Sequence, residues 1–343
     1  MKVLFATSSH RDLQNPKHGA ERQLYGQARA LSERGHDVEV DNINWNAPDI
    51  KDFDIIQMVN SNGPNGSHQS LANHAIDKGV PVVSTPTFWP PNDIIDQSDE
   101  QQKQQIDLHI KTLLPWLSAS THLTPNADVE ADKLKGFLDT FNYTVIRNAV
   151  DKQEIAEVQK NEVGAPDEWG DYVLCVGRME PRKNQWRLIH AMQALWQDDV
   201  DAKLVMIGKA NRDYLRKFSS SIERYEDRVV IDPQIKDPKT VLNAIKNARV
   251  LAMPSLLETP GLVALEAAAL GTSLAITGKG STKEYFNGYA HYCDPTRVDS
   301  IGYAVRDAWK ENGFEESERF IEKYNYENEA EKLESLYQNI LGG

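Results

Sequence analysis

Cysteine is almost absent from this chain, with two in 343 residues, Cys175 and Cys293. A disulfide scaffold is therefore excluded, and both thiols fall in or beside strand-like runs, where reduced core cysteines belong. No run of about 18 apolar residues occurs, so no segment reads as spanning a membrane. The first apolar run, Val3–Ala6, is too short for the core of a secretory leader, and the expected compartment is the cytoplasm. Basic charge is in deficit: the net charge is −13, and residues 1–150 hold 13 Lys and Arg against 19 Asp and Glu. That argues against nucleic acid as the main partner and against charge-driven docking on anionic lipid. The chain has no GxGxxG, so the dinucleotide fingerprint of a dehydrogenase is missing, and no low-complexity tract or short repeat appears.

What remains is an ordinary globular composition, 40% hydrophobic and 26% charged, in a chain too long for one core of typical size. Short apolar strands alternate with longer amphipathic helices, the pattern of parallel α/β sheets. In the first half the strand-like runs are Val3–Ala6, Asp37–Val40, Asp54–Met58, Pro81–Ser84, Ala119–Leu123 and Thr144–Ile146. Helices are expected near Glu21–Glu33, Gln69–Lys78, Gln101–Trp116 and Asp128–Thr140. The periodicity fails across 147–170, where Gly164, Pro166 and Gly170 collect, and the domain boundary is placed within it, at 165/166. The pattern then restarts, with strands at Tyr172–Val176, Lys203–Ile207, Val229–Ile231, Val250–Ala252, Ser273–Ala275 and Ala290–Tyr292. Its helices are expected near Gln185–Trp196, Arg212–Ile222, Pro238–Asn247, Leu262–Leu270, Val298–Glu311 and Glu315–Tyr324, before a terminal amphipathic helix. The expected class is α/β, with two Rossmann-like, doubly wound parallel-sheet domains over 1–165 and 166–325, a last helix over 326–343, and ligands beyond the carboxyl ends of the strands.

The most informative stretch is Glu258-Thr-Pro-Gly-Leu-Val-Ala-Leu-Glu266. Thr259 is suited to cap the helix that follows, Pro260 to its first turn and Gly271 to its end. Glu266 is the only charge in that apolar helix, and a buried carboxylate needs a hydrogen-bonding partner. A ribose diol is one such partner; a nearby Lys or Arg is the plainer alternative. The free N–H groups at the helix start suit a phosphate. A second constellation follows the strand Tyr172–Val176: Gly177-Arg178-Met179-Glu180-Pro181-Arg182-Lys183-Asn184-Gln185. Arg178, a planar fork, and Lys183, a point charge, are placed to converge on a diphosphate; the alternative is a solvated basic turn. Near the start, His18-Gly19-Ala20-Glu21 opens a helix with a glycine that lets a phosphate approach backbone closely, or that merely makes a turn.

Together these residues carry a resemblance. Gly177-Arg178…Lys183-Asn184, Glu258-x7-Glu266, Gly271-Thr-Ser and Gly280-Ser-Thr-Lys-Glu284 resemble the retaining family 4 glycosyltransferases (glycosyl transferases group 1). Gly19-Ala-Glu21, Gly35-His36-Asp37-Val38, Ile146-Arg-Asn148-Ala-Val-Asp151 and the tail Tyr324-Asn-Tyr-Glu…Leu336-Tyr337 fit the same pattern more loosely. The resemblance implies the GT-B fold, with a cleft between an acceptor-side N-terminal domain and a donor-binding C-terminal one, and a last helix returning to the N-terminal lobe. It implies transfer of a hexosyl unit from a UDP- or GDP-linked sugar to the hydroxyl of a glycan, glycolipid or other glycoconjugate, with retention. No cofactor or metal is implied, the nucleotide sugar being a co-substrate. By the same resemblance Arg178 and Lys183 hold the diphosphate, Glu266 binds the ribose and Glu258 contacts the donor sugar. Gly261 and Leu262 offer backbone amides near the distal phosphate and sugar, Gly19 closes over the diphosphate, and Gly208 and Pro233–Ile235 lie near the base. Catalytic roles fall on Arg178, Lys183 and Glu258.

The chain also departs from that family. The histidine that many members carry after the fourth strand is absent from Ser84-Thr-Pro-Thr-Phe-Trp-Pro-Pro91, Ala20 replaces a second glycine, and Ala149 follows Asn148 where a glycine is usual. Phe88 and Trp89 read either as a sugar-stacking platform or as core filling, and Asn148 as a residue that takes the left-handed conformation in place of the glycine. Asp52/Asp54 and Asp199/Asp201 mimic a metal motif but sit at the wrong ends of their strands, while His10 and His18 lie in the first loop. A sugar-nucleotide 2-epimerase would need an acid/base pair near the sugar, which is not identified. A non-catalytic sugar-nucleotide binder is disfavoured by the joint presence of Arg178, Lys183, Glu258 and Glu266.

Overall fold

A computed structural model of the chain describes residues 1–7, 19–43, 49–59, 67–90, 100–161, 163–198, 200–217, 219–234, 237–311, 313 and 315–342. Along them run β1 (Lys2–Thr7), α1 (Gly19–Glu33), β2 (Asp37–Asn42), β3 (Ile55–Val59), α2 (Ser67–Lys78), β4 (Val82–Thr85), α3 (Glu100–Ser118), β5 (His122–Leu123) and α4 (Asp128–Leu134). Next come α5 (Lys152–Lys160), β6 (Tyr172–Val176), α6 (Gln185–Gln197), β7 (Lys203–Ile207), α7 (Arg212–Arg216), α8 (Ser219–Arg224), β8 (Val229–Asp232), α9 (Pro238–Asn247) and β9 (Val250–Met253). The rest are α10 (Leu262–Leu270), β10 (Ser273–Thr277), α11 (Thr282–Phe286), β11 (His291–Cys293), α12 (Val298–Lys310), α13 (Ser317–Lys323) and α14 (Tyr326–Gly342).

These elements form two compact units, one of Met1–Ala149 with Tyr324–Gly343, the other of Val150–Lys323. Each is built on a wholly parallel sheet, ordered β2-β1-β3-β4-β5 in the first and β11-β10-β9-β6-β7-β8 in the second. The expected fold class is therefore the one observed. The chain changes units earlier than 165/166 because α5, missed in the sequence, belongs to the second. Asp151 caps that helix, accepting from the Gln153 and Glu154 amides at 3.0 and 3.2 Å. Its far end is tied down by Lys246 Nζ on the Val158 carbonyl at 3.0 Å and by Gln159 Nε2 on the Ala269 carbonyl at 3.3 Å.

In the first unit the strands alternate by twos. Val3 and Phe5 pack in one cluster with residues of α1 and α14, and Leu4 and Ala6 in another with residues of α2 and α3. The buried Ile110, Leu113, Trp116 and Leu117 make α3 a core-facing helix. Phe88 and Trp89 are buried at 1% and 6% exposure, and Phe88 meets Phe137 edge to face, so these rings fill the core and are not a stacking platform. The run Thr144–Ile146 is not a ladder strand. It follows β5 irregularly, with Thr144 N on Leu123 O and Ile146 N on Pro125 O, both at 3.0 Å. Asn148 is not left-handed either; among described non-glycine residues only Thr87 and Asn184 have positive φ. Asp54 accepts from the Lys2 amide at 2.7 Å, at the amino end of the sheet. His10, His18, Asp199 and Ile235 lie outside the described residues.

The last helix closes the first unit. Gln23 of α1 grips Ala149 through two hydrogen bonds, 2.7 Å to its carbonyl and 2.9 Å from its amide, and donates to the Tyr326 hydroxyl at 3.1 Å. Buried Glu329 accepts from the Arg147 amide at 2.8 Å, and the Tyr337 hydroxyl donates to Gln57 at 2.8 Å. Gly26 is what lets α14 lie so close, since a Cβ there would stand 2.1 Å from the Tyr326 ring. Alanine is worth about 1 kcal/mol over glycine inside a helix, but an overpacked core costs about 1–3 kcal/mol, and the Tyr326 hydroxyl is anchored at both Gln23 and the Arg22 carbonyl. Gly26→Ala is accordingly expected to destabilise the protein in urea denaturation, against its helix propensity. Unchanged or raised stability would show that the ring yields.

Candidate active site

In the second sheet the chain runs outward from β6 through β7 to β8, then returns to the other side of β6 with β9. The point of reversal lies between β6 and β9, where loops part and open sheets bind ligands. The loops leaving these two strands carry the sequence-marked residues. They are held together by Lys183 Nζ, 2.5 Å from Glu258 Oε1, with both side chains largely buried at 18% and 6% exposure. Arg182 reinforces the join. Its carbonyl accepts from the Leu256 amide at 2.8 Å, its guanidinium donates to the Leu257 carbonyl at 3.3 Å and lies 4.0 Å from Glu258. Burial opposes ionisation of Glu258, but the fields of Lys183 and Arg182 and the hydrogen bond of Lys183 outweigh it, and the carboxyl is held below its ordinary pKa.

Two close backbone approaches make room for this join. A Cβ on Gly280 would stand 2.0 Å from the Glu258 carbonyl oxygen, which accepts from the Ser281 amide at 3.0 Å. A Cβ on Gly208 would stand 2.3 Å from the Gly177 carbonyl oxygen, across the ends of β7 and β6. Both glycines have positive φ, 88° and 142°, so other residues would be strained there as well. Asn184 pins the loop from below. Fully buried and left-handed, it donates to the carbonyls of Pro254 and Pro295 at 2.9 and 2.8 Å.

The expected site residues do not all fall together. Lys183, Glu258 and Gly261 stand together, a Cβ on Gly261 being 3.3 Å from Glu258 Oε2. Leu262 and Glu266 occupy the first and second turns of α10, one helical repeat apart, and Glu266 is 8% exposed. Gly261, not Thr259, occupies the N-cap of α10, without a side-chain cap, so the cap assigned to Thr259 is corrected; Thr259-Pro260 lies outside the helix as its lead-in. Gly271 ends the helix in the left-handed conformation, as expected. Arg178 is 53% exposed and pairs with Glu180 at 3.3 Å. Gly19 begins α1 in the other unit. Sequence reasoning did not single out Arg182, Asn184 or Gln185, whose amide donates to the Arg178 carbonyl at 3.0 Å. The only signal for Asn184 was an asparagine just before a helix; its left-handed conformation was not foreseen. Among the described residues no group of three or more His, Cys, Asp or Glu is placed to hold a metal ion.

Residues 158–327, nearly the whole second unit, match the family model "Glycosyl transferases group 1". The chain belongs to the glycosyl transferases group 1 family. A curated relative, the uncharacterized glycosyltransferase MJ1607 of Methanocaldococcus jannaschii, is 30% identical over 52% of this chain and 47% of its own. The GDP-mannose-dependent alpha-(1-6)-phosphatidylinositol dimannoside mannosyltransferase of Mycobacterium tuberculosis is 31% identical over 38% and 33%. The chain thus spans less than half the length of these curated relatives. Sucrose-phosphate synthase from Thermosynechococcus elongatus shares the GT-B fold with a TM-score of 0.79 over 100% of both chains, at 16% identity. Among the described residues of this group 1 chain, no helix is long and apolar enough to cross a membrane.

The ion pair makes two measurable claims. Lys183→Met strands a buried carboxylate and is expected to cost about 3 kcal/mol, while Lys183→Met combined with Glu258→Gln costs less than the sum of the single changes. Additive costs in a urea-denaturation cycle would deny the coupling. Glu258 titrates below its ordinary 4.5 in the folded state, so its contribution is present above the unfolded value and lost as pH falls through the folded one. The stability gap between wild type and Glu258→Gln is expected to stay constant above about pH 5 and to narrow in more acid solution.

Proposed function

We propose that this protein is a retaining hexosyltransferase that uses a UDP- or GDP-linked sugar and an acceptor hydroxyl on a glycan, glycolipid or other glycoconjugate. The observation that carries the reading is the Lys183–Glu258 contact at the reversal point of the second sheet, beside the uncapped start of α10. That arrangement sets cations, the backbone N–H groups of a helix start and carboxylates beside one another at the strand ends, the complement of a sugar diphosphate. Family membership supports it, and the mannosyltransferase relative is GDP-mannose-dependent by name.

In this reading Arg178 and Lys183 hold the diphosphate, aided by the amides of Gly261 and Leu262, while Glu266 accepts from the ribose hydroxyls and Glu258 from the donor sugar. Gly208 lines the approach to the base. The bond between the anomeric carbon and the phosphate oxygen breaks, and a bond from the acceptor oxygen forms on the same face. The acceptor proton passes to the leaving phosphate oxygen, so no protein base is required. Negative charge grows on the diphosphate as the bond breaks, and fixed cations and N–H dipoles stabilise it more than they stabilise the intact donor. The nucleotide sugar is a co-substrate, with no further cofactor or metal in the scheme. The proposed setting is cytoplasmic.

Two measurements test this. Glu266→Ala removes hydrogen bonds to a charged group, about 1.5–3 kcal/mol, so calorimetry should show UDP or GDP binding roughly 10- to 150-fold weaker. Unchanged affinity would remove Glu266 from the ribose role. NMR of the product formed from an α-linked donor is expected to show an α-linkage, and a β-linked product would refute retention.

A further inference from the structure

Glu180 has no place in the chemistry just described, yet its carboxylate sits between two guanidiniums. Arg178 Nη2 lies 3.3 Å from both Oε1 and Oε2, and Arg182 lies 3.6 Å from Oε1. It does not cap the short 3₁₀ turn Pro181–Lys183 that follows, since no backbone N–H reaches its side chain. The turn is made by the Glu180 main chain, whose carbonyl accepts from the Lys183 amide at 3.0 Å, and that bond is indifferent to the side chain.

Arg182 does not need Glu180 to hold its place, and the Arg178 main chain is fixed without it. The Arg178 carbonyl is fixed by Gln185 at 3.0 Å. Arg182 is fixed twice on the facing loop, through its carbonyl to Leu256 and its guanidinium to Leu257. One Arg178 nitrogen, Nη2, straddles both Glu180 oxygens at 3.3 Å, Arg182 reaches only Oε1 at 3.6 Å, and Arg178 is more than half exposed. This is the geometry of a loosely held counter-ion. A tightly built support would show a bidentate, buried fork.

Glu258 balances the charge of Lys183, and Glu180 balances that of Arg178 and Arg182. Charges therefore alternate along Arg178, Glu180, Arg182, Glu258 and Lys183, three positive and two negative. An anion that takes Arg178 must displace the Glu180 carboxylate or share the guanidinium with it. Resting on the diphosphate role proposed above for Arg178, we propose that Glu180 is a built-in competitor of the diphosphate. It occupies Arg178 when the site is empty and weakens retention of the nucleoside diphosphate left after transfer. Glu180 acts through Arg178 and touches no reacting atom.

The sign of one substitution decides between competitor and support. Glu180→Gln keeps shape and main chain while removing the charge. Titration calorimetry of the full chain with UDP, GDP and inorganic pyrophosphate is expected to show the variant binding roughly two- to five-fold tighter, the scale of an exposed ion pair that no longer has to be broken. The gain should shrink as salt rises from 0.05 to about 0.5 M. Glu180→Ala should show the same sign, which guards against a peculiarity of the amide. Equal or weaker binding in both variants, with wild type binding normally, would overturn the competitor role and leave the proposed function standing. Failure of wild type and both variants to bind any of the three probes would instead refute the diphosphate site, and this inference with it.

Discussion

The second unit's site depends on one ion pair. Lys183 and Glu258 are far apart in sequence and emerge from adjacent strands, and their contact turns two separate loops into one surface. A buried carboxylate needs a fixed partner, so Glu258 cannot stay in place once Lys183 moves. The strand-end loops pack as they do because glycine at 208 and 280 allows backbone to pass at distances a Cβ would block. Asn184 then fixes the height of the cationic turn by tying it to the loops after β9 and β11. Charge, glycine and buried amide therefore form one device, and loss of any one loosens the other two.

Much of the scaffold was legible because its signals are local. Pro238–Asn247 and Leu262–Leu270 fall where the sequence placed them, since proline opens the first, and an unbroken apolar run closed by glycine defines the second. The long-range features were less accessible. Helix Lys152–Lys160 buries only Ile155 and Val158, too thin a stripe to register, although Asp151 ahead of it was a cap signal that went unread. The cap of α10 was misassigned because a threonine before a proline reads as a helix start, whereas here the cap falls two residues later, at Gly261. Candidate residues could be named from motif spacing. Their partners could not: Arg182 reaches Leu257 and Lys183 reaches Glu258 only once β6 and β9 lie side by side. Phe88 and Trp89 show the same limit, since a proline-flanked aromatic pair looks alike on a surface and under one.

The charge distribution carries its own lesson. A net charge of −13 repels any anionic ligand at long range, so the attraction offered by Arg178, Arg182 and Lys183 is a short-range one, felt within about 8 Å at physiological salt. Two internal carboxylates reduce even that. Such a turn favours ligands that approach closely and fit its geometry over anions in general, and it discourages the nonspecific polyanion binding that an uncompensated basic loop invites.

The first unit is assembled from two stretches separated by the whole of the second, with Gln23 and Gly26 waiting for Tyr326. On a ribosome, chains emerge from the amino end and domains commonly settle in that order. Here that order is inverted. Residues 150–323 are all available while the apolar face of α1 still lacks α14, so the first unit closes only after the second has emerged, and the α1 face stays uncovered until α14 arrives.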